Sequence, residues 1–136
     1  MRLVVVFTFS LLLAGCSLLD NSTEILVLST DQQTYASGAT VELVLENRSS
    51  VRYEMGTFSC ASVERQAESG WQTVEPSEER FCTLQLYVLS PSERLEGSFL
   101  LHDDLDAGTY RLVQQVFRDI AEDNGIRVAS NSFDVQ

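Results

Sequence analysis

The chain has 136 residues, 44% of them hydrophobic, and carries 20 Asp and Glu against nine Lys and Arg, for a formal net charge of −11. This length suits one domain, and the apolar content is enough for a packed core, which excludes a disordered chain. The negative charge argues against binding to nucleic acid and against electrostatic attachment to anionic lipid.

The N-terminal residues have the composition of a secretory signal. Arg2 gives a positive start, residues 3–13 form an apolar run, and Ala14 and Gly15 are the small residues that follow it. The run has about eleven residues, whereas a helix needs about twenty to cross the hydrocarbon core of a bilayer. A positive start, a short apolar middle and small residues before a cleavage point are typical of a signal peptide.

The residues that end this signal, Leu13-Ala14-Gly15-Cys16, resemble the lipobox of bacterial lipoproteins. The resemblance implies cleavage before Cys16, a diacylglyceryl thioether on its sulfur, and an amino group that can be acylated, for example with palmitate. Two or more acyl chains anchor a protein stably, at about 0.8 kcal/mol per buried methylene. The alternative is an ordinary secretory signal that leaves a thiol at Cys16.

We therefore predict a lipoprotein signal peptide at residues 1–15, a lipidated tether at 16–23 and one domain at 24–136. The lipid would hold this domain outside the cytoplasm, on the cell membrane or the outer membrane. Ser17, directly after Cys16, is compatible with outer-membrane sorting in a Gram-negative envelope.

Beyond the tether, nearly every segment has the alternation or the short apolar run of a β-strand. Turn residues separate the segments, and Asp123-Asn124-Gly125 is a strong tight-turn signal. The stretch 116–122 could instead hold a helical turn. Short strands at regular spacing predict a two-sheet sandwich. The predicted strands cover residues 25–28, 40–46, 51–55, 58–65, 71–74, 82–88, 95–101, 109–117 and 126–135.

One local pattern narrows the fold. Asp106, Gly108 and Tyr110 have the D-x-G-x-Y spacing of the tyrosine corner, in which a Tyr hydroxyl bonds to backbone upstream of it. Antibody domains carry a Cys two residues after that Tyr, and Leu112 stands there in this chain. We predict an all-β, immunoglobulin-like antiparallel sandwich of about seven to nine strands, without the intersheet disulfide of antibodies.

Longer stretches resemble the bacterial Ig-like domains that many small lipoproteins carry, and they are similar to the sandwich of the bacterial intracellular proteinase inhibitor family. The resemblance rests on Tyr35-x-x-Gly38-x-x-Val41, Gly70-Trp71, Gly108-Thr109-Tyr110-Arg111-Leu112 and Ser130–Val135. These are mostly turn and core positions, so the resemblance implies a fold more than an activity. The lipobox departs from the intracellular inhibitors, and Cys60 and Cys82 depart from most members of both groups.

Two cysteines, Cys60 and Cys82, remain once Cys16 is assigned to the lipid. An oxidising compartment permits a disulfide between them, and we predict a structural one. Two buried thiols or a metal site are the alternatives, and the metal site is disfavoured because a zinc site usually has four ligands.

The densest set of potential ligands is His102-Asp103-Asp104-x-Asp106. Its oxygens could hold Ca²⁺, but the EF-hand pattern with its closing Glu is absent from the sequence. We therefore expect a solvated loop, with no metal and no cofactor.

Nothing in the sequence points to catalysis. It lacks the G-x-S-x-G, H-E-x-x-H and Gly-rich phosphate-loop motifs, and it contains no Lys. A Ser-His-Asp triad would have to use His102, and the carboxylate pairs 78–79 and 103–104 fall in predicted loops. The chain is therefore not expected to be an enzyme.

A binding surface could come from the aromatic residues Tyr53, Phe58, Trp71 and Tyr87, which fall in strands that could share a sheet. The competing interpretation, which we favour, is that they are ordinary core, with Trp71 nearest an edge. We predict a membrane-anchored envelope lipoprotein with one non-catalytic binding or structural domain, attached through the lipid on Cys16 and contacting a protein partner in the envelope.

The alternative function is a lipid-anchored protease inhibitor. Its inhibitory elements would be loops at the sandwich ends, and the candidates are Arg48–Ser50, Ser77–Arg80 and Asp119–Asn124. The resemblance supplies no inhibitory motif for these loops.

The lipobox makes the first testable prediction. Cys16→Ala removes the sulfur that would carry the diacylglyceryl group, so labelling with radioactive palmitate and membrane association should both be lost. Labelling of cells followed by fractionation measures this, with the Cys60→Ser/Cys82→Ser double variant as the control that keeps both. Retention of the label by Cys16→Ala would contradict the prediction.

Overall fold

A computed structural model describes residues 25–76, 82–83, 85–122 and 125–136 of the chain. The predicted signal peptide, Cys16 and the tether lie outside the described residues. So do the loop 77–80 and the Asp123-Asn124 part of the predicted turn. Within the described residues, no helix is both long and apolar enough to cross a membrane.

The described part of the chain forms eleven strands and two short 3₁₀ turns. The 3₁₀ turns are Phe58–Cys60 and Ile120–Glu122. The strands are β1 (Leu26–Thr30), β2 (Thr34–Tyr35), β3 (Thr40–Asn47), β4 (Tyr53–Met55), β5 (Ser62–Ala67), β6 (Gly70–Val74), β7 (Tyr87–Leu89), β8 (Arg94–Leu100), β9 (Gly108–Phe117), β10 (Ile126–Ala129) and β11 (Phe133–Val135).

The strands pack as two sheets, which confirms the predicted all-β, immunoglobulin-like sandwich. The smaller sheet has the order β1-β3-β8 and is antiparallel throughout. The larger sheet is built on β9 and has the path β2-β11-β9-β4-β7, with β10 also paired to β9 and with β5 paired to both β9 and β6. Only β11 and β2 pair in parallel among the strand pairs of the described residues.

The core lies between the sheets and follows the period-2 alternation of the strands. In β3, Val41, Leu43 and Leu45 point inward and are at most 1% exposed, as the pattern predicted. Tyr110 and Leu112 of β9 face them from the larger sheet and are equally buried. Burying one such side chain stabilises the fold by about 1.5–3 kcal/mol, so this layer holds the two sheets together.

The strand count exceeds the predicted range because one predicted strand divides into two and because β2 was not predicted. The stretch 126–135 was predicted as one strand, but it breaks at Ser130–Ser132 into β10 and β11. Ser130 forms a bridge with Leu28, and its hydroxyl accepts a hydrogen bond from the backbone N–H of Leu112 at 3.0 Å. The chain therefore turns toward the smaller sheet before it returns to pair with the start of β9.

The predicted strand 58–65 is also wrong in its first half. Both β4 and β5 pair with β9, at Met55↔Val116 and Ser62↔Val113. The six residues 56–61 between them therefore stand opposite only two residues of β9, at positions 114 and 115. They leave the sheet as a 3₁₀ turn, and the buried ring of Phe58 packs on Gly97 of the smaller sheet, where any Cβ would clash with it. The packing of this ring thus overrides the strand pattern.

The next strands outward in the larger sheet, β6 and β7, are separated at the same level of the sheet as β5 and β4. Strand β6, which pairs with β5, ends at Val74, and β7, which pairs with β4, begins at Tyr87, so among the described residues of the predicted strand 82–88 only Tyr87 and Val88 are strand. Cys60 and Cys82 form the predicted disulfide, with their Cα atoms 5.0 Å apart. The bond thus links the segment between β4 and β5 to the segment that precedes β7, at two cysteines that lie outside the strands.

The disulfide gives the second prediction. The Cys60→Ser/Cys82→Ser variant should lose up to about 3 kcal/mol of unfolding free energy, because the unfolded chain is no longer restrained across 22 positions. Urea unfolding in a Cys16→Ser background measures this loss. Reduced wild-type protein is the control and should match the variant, and equal midpoints for oxidised and reduced protein would contradict the prediction.

Candidate functional site

The tyrosine corner has a structural role. The Tyr110 hydroxyl donates a hydrogen bond to the backbone carbonyl of Asp106 at 2.7 Å, which is the contact that the D-x-G-x-Y pattern requires. The Arg65 guanidinium lies 5.7 Å from the centre of the Tyr110 ring and donates to the carbonyl of Ala107 at 2.9 Å. These contacts fix the turn that leads into β9, and Tyr110 is buried.

The Asp-rich loop differs from the expectation at its first residue. Asp103, Asp104 and Asp106 are exposed, as a solvated loop requires, but His102 is only 5% exposed. The His102 carbonyl accepts hydrogen bonds from the Gly38 backbone at 3.0 Å and from the Ser37 hydroxyl at 3.1 Å. The backbone of His102 therefore links the Asp-rich loop to the turn after β2.

No metal site forms in the described part of the chain, where no three His, Cys, Asp or Glu side chains come together in a way that could hold an ion. The candidate aromatic residues do not assemble into one surface either. Tyr53 and Phe58 are core residues, whereas Trp71 and Tyr87 reach the surface on β6 and β7, on either side of the interruption.

A charged cluster that sequence reasoning missed lies on the outward face of the larger sheet. The Glu64 side chain is 4% exposed and accepts two hydrogen bonds from Arg111, at 2.7 and 2.8 Å, and one from Arg127. The Arg111 guanidinium also stacks on Trp71, 4.3 Å from the ring centre. Alternation places each of these residues on an outward face, but their contact depends on the pairing of β5, β6, β9 and β10, which no local pattern reveals.

The two arginines control the ionisation of Glu64. Burial by itself raises the pKa of this carboxyl, but the hydrogen bonds and charges of Arg111 and Arg127 lower it more, so the pKa lies below its ordinary value of 4.5. One carboxylate thus pairs with two arginines, and the cluster acts as a fixed tie between β5, β9 and β10. Arg127 remains 57% exposed and borders a second feature, a groove.

This groove lies between β1 of the smaller sheet and β10 of the larger sheet and has a volume of about 730 Å³. We call it the edge groove. Leu28, Tyr53 and Val128 form its buried floor, and the half-exposed side chains of Ile25 and Ile126 stand at its rim.

The edge groove is closed at one end and open at the other. Asn131 ties the two strands together at the closed end: its side-chain oxygen accepts from the Thr30 N–H at 2.9 Å, and its amide donates to the Thr30 hydroxyl at 2.7 Å. The Leu28–Ser130 bridge lies beside this clamp. From there toward Ile25 and Ile126, the two strands make no backbone hydrogen bonds to each other in the described structure.

The charge of the edge groove differs from that of the whole chain. Two arginines, Arg118 and Arg127, line it, and no carboxylate does so among the described residues. Arg118 is exposed and forms no ion pair with any acidic residue that the structure describes. The groove therefore combines an apolar floor, two strand edges and positive charge.

Comparison with known proteins identifies a family but not an activity. A model of the bacterial Ig-like domain matches residues 22–130. No curated protein sequence matches the chain.

Solved structures give only distant similarities. An alkylpurine DNA glycosylase of Pseudomonas fluorescens, solved bound to DNA with an abasic site analogue, aligns over 82% of this chain and 30% of its own, with 8% identity and a TM-score of 0.43. The seventh PapD-like domain of human CEP192 aligns over 80% of this chain and 84% of its own, with 16% identity and a TM-score of 0.35. The chain thus spans about a third of the glycosylase, and at these TM-scores neither similarity bears on function.

Glu64 gives the third prediction. Glu64→Gln removes the charge that two arginines share and should reduce the unfolding free energy by about 1–3 kcal/mol at neutral pH. The pKa of Glu64 is lower in the folded protein than its ordinary value of 4.5. The stabilisation by its charge is therefore complete when the pH is above 4.5, and it is lost as the pH falls through the pKa of the folded state. The difference in unfolding free energy between wild type and Glu64→Gln should therefore become smaller in acid.

Urea unfolding from pH 7 down to pH 3 measures this gap. Glu46→Gln is the matched control, because Glu46 also meets two arginines, Arg48 and Arg94, but at the surface, where such pairs contribute at most about 1 kcal/mol. A gap for Glu64→Gln that widens in acid would overturn the assignment.

Proposed function

Because the chain belongs to the bacterial Ig-like domain family, we propose that it is a non-catalytic binding domain held at the bacterial cell envelope by lipid on Cys16. The edge groove is the observation that carries the binding role. It presents two strand edges over an apolar floor, and binding sites are typically concave and largely apolar, with a few polar groups.

The position of the groove agrees with an anchor at Cys16. The open end of the groove lies at Ile25, the first described residue, whose carbonyl accepts from the N–H of Arg48 at 2.8 Å. Residues 16–24 span at most about 30 Å when fully extended. A lipid on Cys16 would therefore keep the open end within about 30 Å of the membrane, and the partner we propose is an envelope protein.

The protease-inhibitor alternative has less support. Arg48–Ser50 is curled rather than extended, because the buried Asn47 side chain accepts from the Ser49 N–H at 3.0 Å and donates to the Val51 carbonyl at 2.7 Å. A loop that enters a protease cleft has to present accessible, extended backbone. Ile120–Glu122 is a 3₁₀ turn at the same end as Ile25, where the anchor would restrict access by a protease.

The fourth prediction tests the binding function in intact membranes. A photo-crosslinking residue in place of Ile126, at the groove rim, should yield one dominant crosslinked species, because the partner would cover this side chain. Gel mobility after irradiation and mass spectrometry of the product measure this. The same residue in place of Leu100, which is 56% exposed on the smaller sheet, is the control and should yield none.

Equal crosslinking from both positions, or none from either, would overturn the binding role. The Cys16→Ala background separates the anchor from the groove, because loss of the anchor should weaken the crosslink without unfolding the domain. If the partner were a protease that one equivalent of this protein inactivates, the inhibitor alternative would replace the proposed function.

A further inference from the structure

We propose that the edge groove takes an extended polypeptide segment from the envelope partner, which adds as a β-strand between β1 and β10 and directs an acidic side chain toward Arg118. This inference rests on the proposed function and names the class of ligand for the same site.

The strand edges favour an extended backbone as the occupant. Strand β1 pairs with β3 along one side, from Leu26↔Asn47 to Thr30↔Leu43, and β10 pairs with β9 along one side, from Ile126↔Val116 to Ala129↔Val113. The second edge of each strand faces the groove. Strand edges present N–H and C=O groups in a row, and an added strand pairs with such a row at every second residue.

The shape of the groove limits how the segment enters and how long it is. The Asn131–Thr30 clamp blocks one end, so the segment enters beside Ile25 and Ile126. A strand between β1 and β10 needs about 9.5 Å between them, and the two strands come closer than this beside the Leu28–Ser130 bridge, so only about two or three residues of the partner would pair, next to Ile25 and Ile126. Longer segments would leave the groove at its open end, toward the proposed membrane side.

The floor determines the side-chain pattern of the segment. Successive residues of a strand point to opposite faces, so every second side chain would lie on Leu28, Tyr53 and Val128, and the others would face solvent. The floor residues are apolar except for the Tyr53 hydroxyl. The inward positions of the partner segment are therefore apolar.

The charge of the edge groove determines which charge the partner segment should carry. In a chain with a net charge of −11, the groove is lined by Arg118 and Arg127 and, among the described residues, by no carboxylate. Arg127 is held by Glu64, whereas Arg118 pairs with no described carboxylate, so Arg118 is the group that discriminates charge. A carboxylate on an outward position of the partner gains this contact, and a basic partner segment does not.

The test uses a random ten-residue peptide library displayed on phage and selected on the full-length protein in lipid nanodiscs. Peptides that bind should alternate apolar and polar residues and contain Asp or Glu. Synthetic copies should bind Arg118→Glu about tenfold more weakly than wild type, because the variant replaces an attraction by a repulsion. Arg94→Glu, which changes an exposed arginine on the smaller sheet, is the matched control and should leave the affinity unchanged.

Hydrogen exchange separates strand addition from side-chain binding. A peptide that adds as a strand should slow amide exchange in β1 and β10 next to Ile25 and Ile126, whereas contact with the rim alone would leave these amides unchanged. The inference is overturned if selected peptides are basic, if they bind Arg118→Glu as tightly as wild type, if they protect amides elsewhere, or if selection returns no binder.

Failure of the ligand class and failure of the binding function give different results. A crosslink from position 126 without groove-binding peptides would keep the binding function and reject an extended strand as the ligand. Absence of both would reject the two proposals together.

Discussion

Strand β9 determines the arrangement of the larger sheet, because four other strands take their register from it. Along its ten residues it pairs with β11 and β10 on one side and with β5 and β4 on the other. The Tyr110 hydroxyl, bonded to the Asp106 carbonyl, fixes where this strand begins. The Tyr110 ring stacks on Phe133, which meets Tyr35 edge to face at 5.1 Å, so one corner also positions β11 and β2. A slip of one residue in β9 would exchange its inward and outward faces and disrupt every one of these pairings.

The Glu64 cluster and the edge groove both follow from the register of β9. The outward face of β9 carries Arg111 to a point where Glu64 of β5 and Arg127 of β10 reach it from opposite sides. The pairing of β10 with the second half of β9 leaves the other edge of β10 toward β1, and this edge forms one wall of the groove. The charged cluster stabilises the wall, because Arg127 belongs to both. A rigid wall suits recognition, since a strand edge that is already in place loses little entropy when a partner pairs with it.

The parts of this structure that were predictable from the sequence are those that depend on local pattern. Val41, Leu43 and Leu45 alternate as a half-buried strand must, and Asp106, Gly108 and Tyr110 mark their own turn. The wrong strand predictions depend on contacts between residues far apart in the chain, such as Phe58 on Gly97 and Ser130 with Leu28. The Glu64 cluster and the edge groove are of this second kind, because each is assembled from strands whose pairing no short segment encodes. The disulfide was predictable only because counting left two cysteines for one oxidising compartment.

The edge groove also affects how readily the open strand edges pair with a second copy of the chain. A protein with an exposed edge risks pairing with a second copy, and proteins usually protect such edges with charge, short strands or cover. Here the two edges face each other across a recess that Asn131 and Thr30 close at one end, so each edge is partly covered by the other strand. The net charge of −11 repels a second copy over about a Debye length, roughly 8 Å in physiological salt, whereas Arg118 acts at contact distance. Repulsion at long range and attraction within the groove therefore favour a narrow, extended and acidic segment over a second copy of the whole domain.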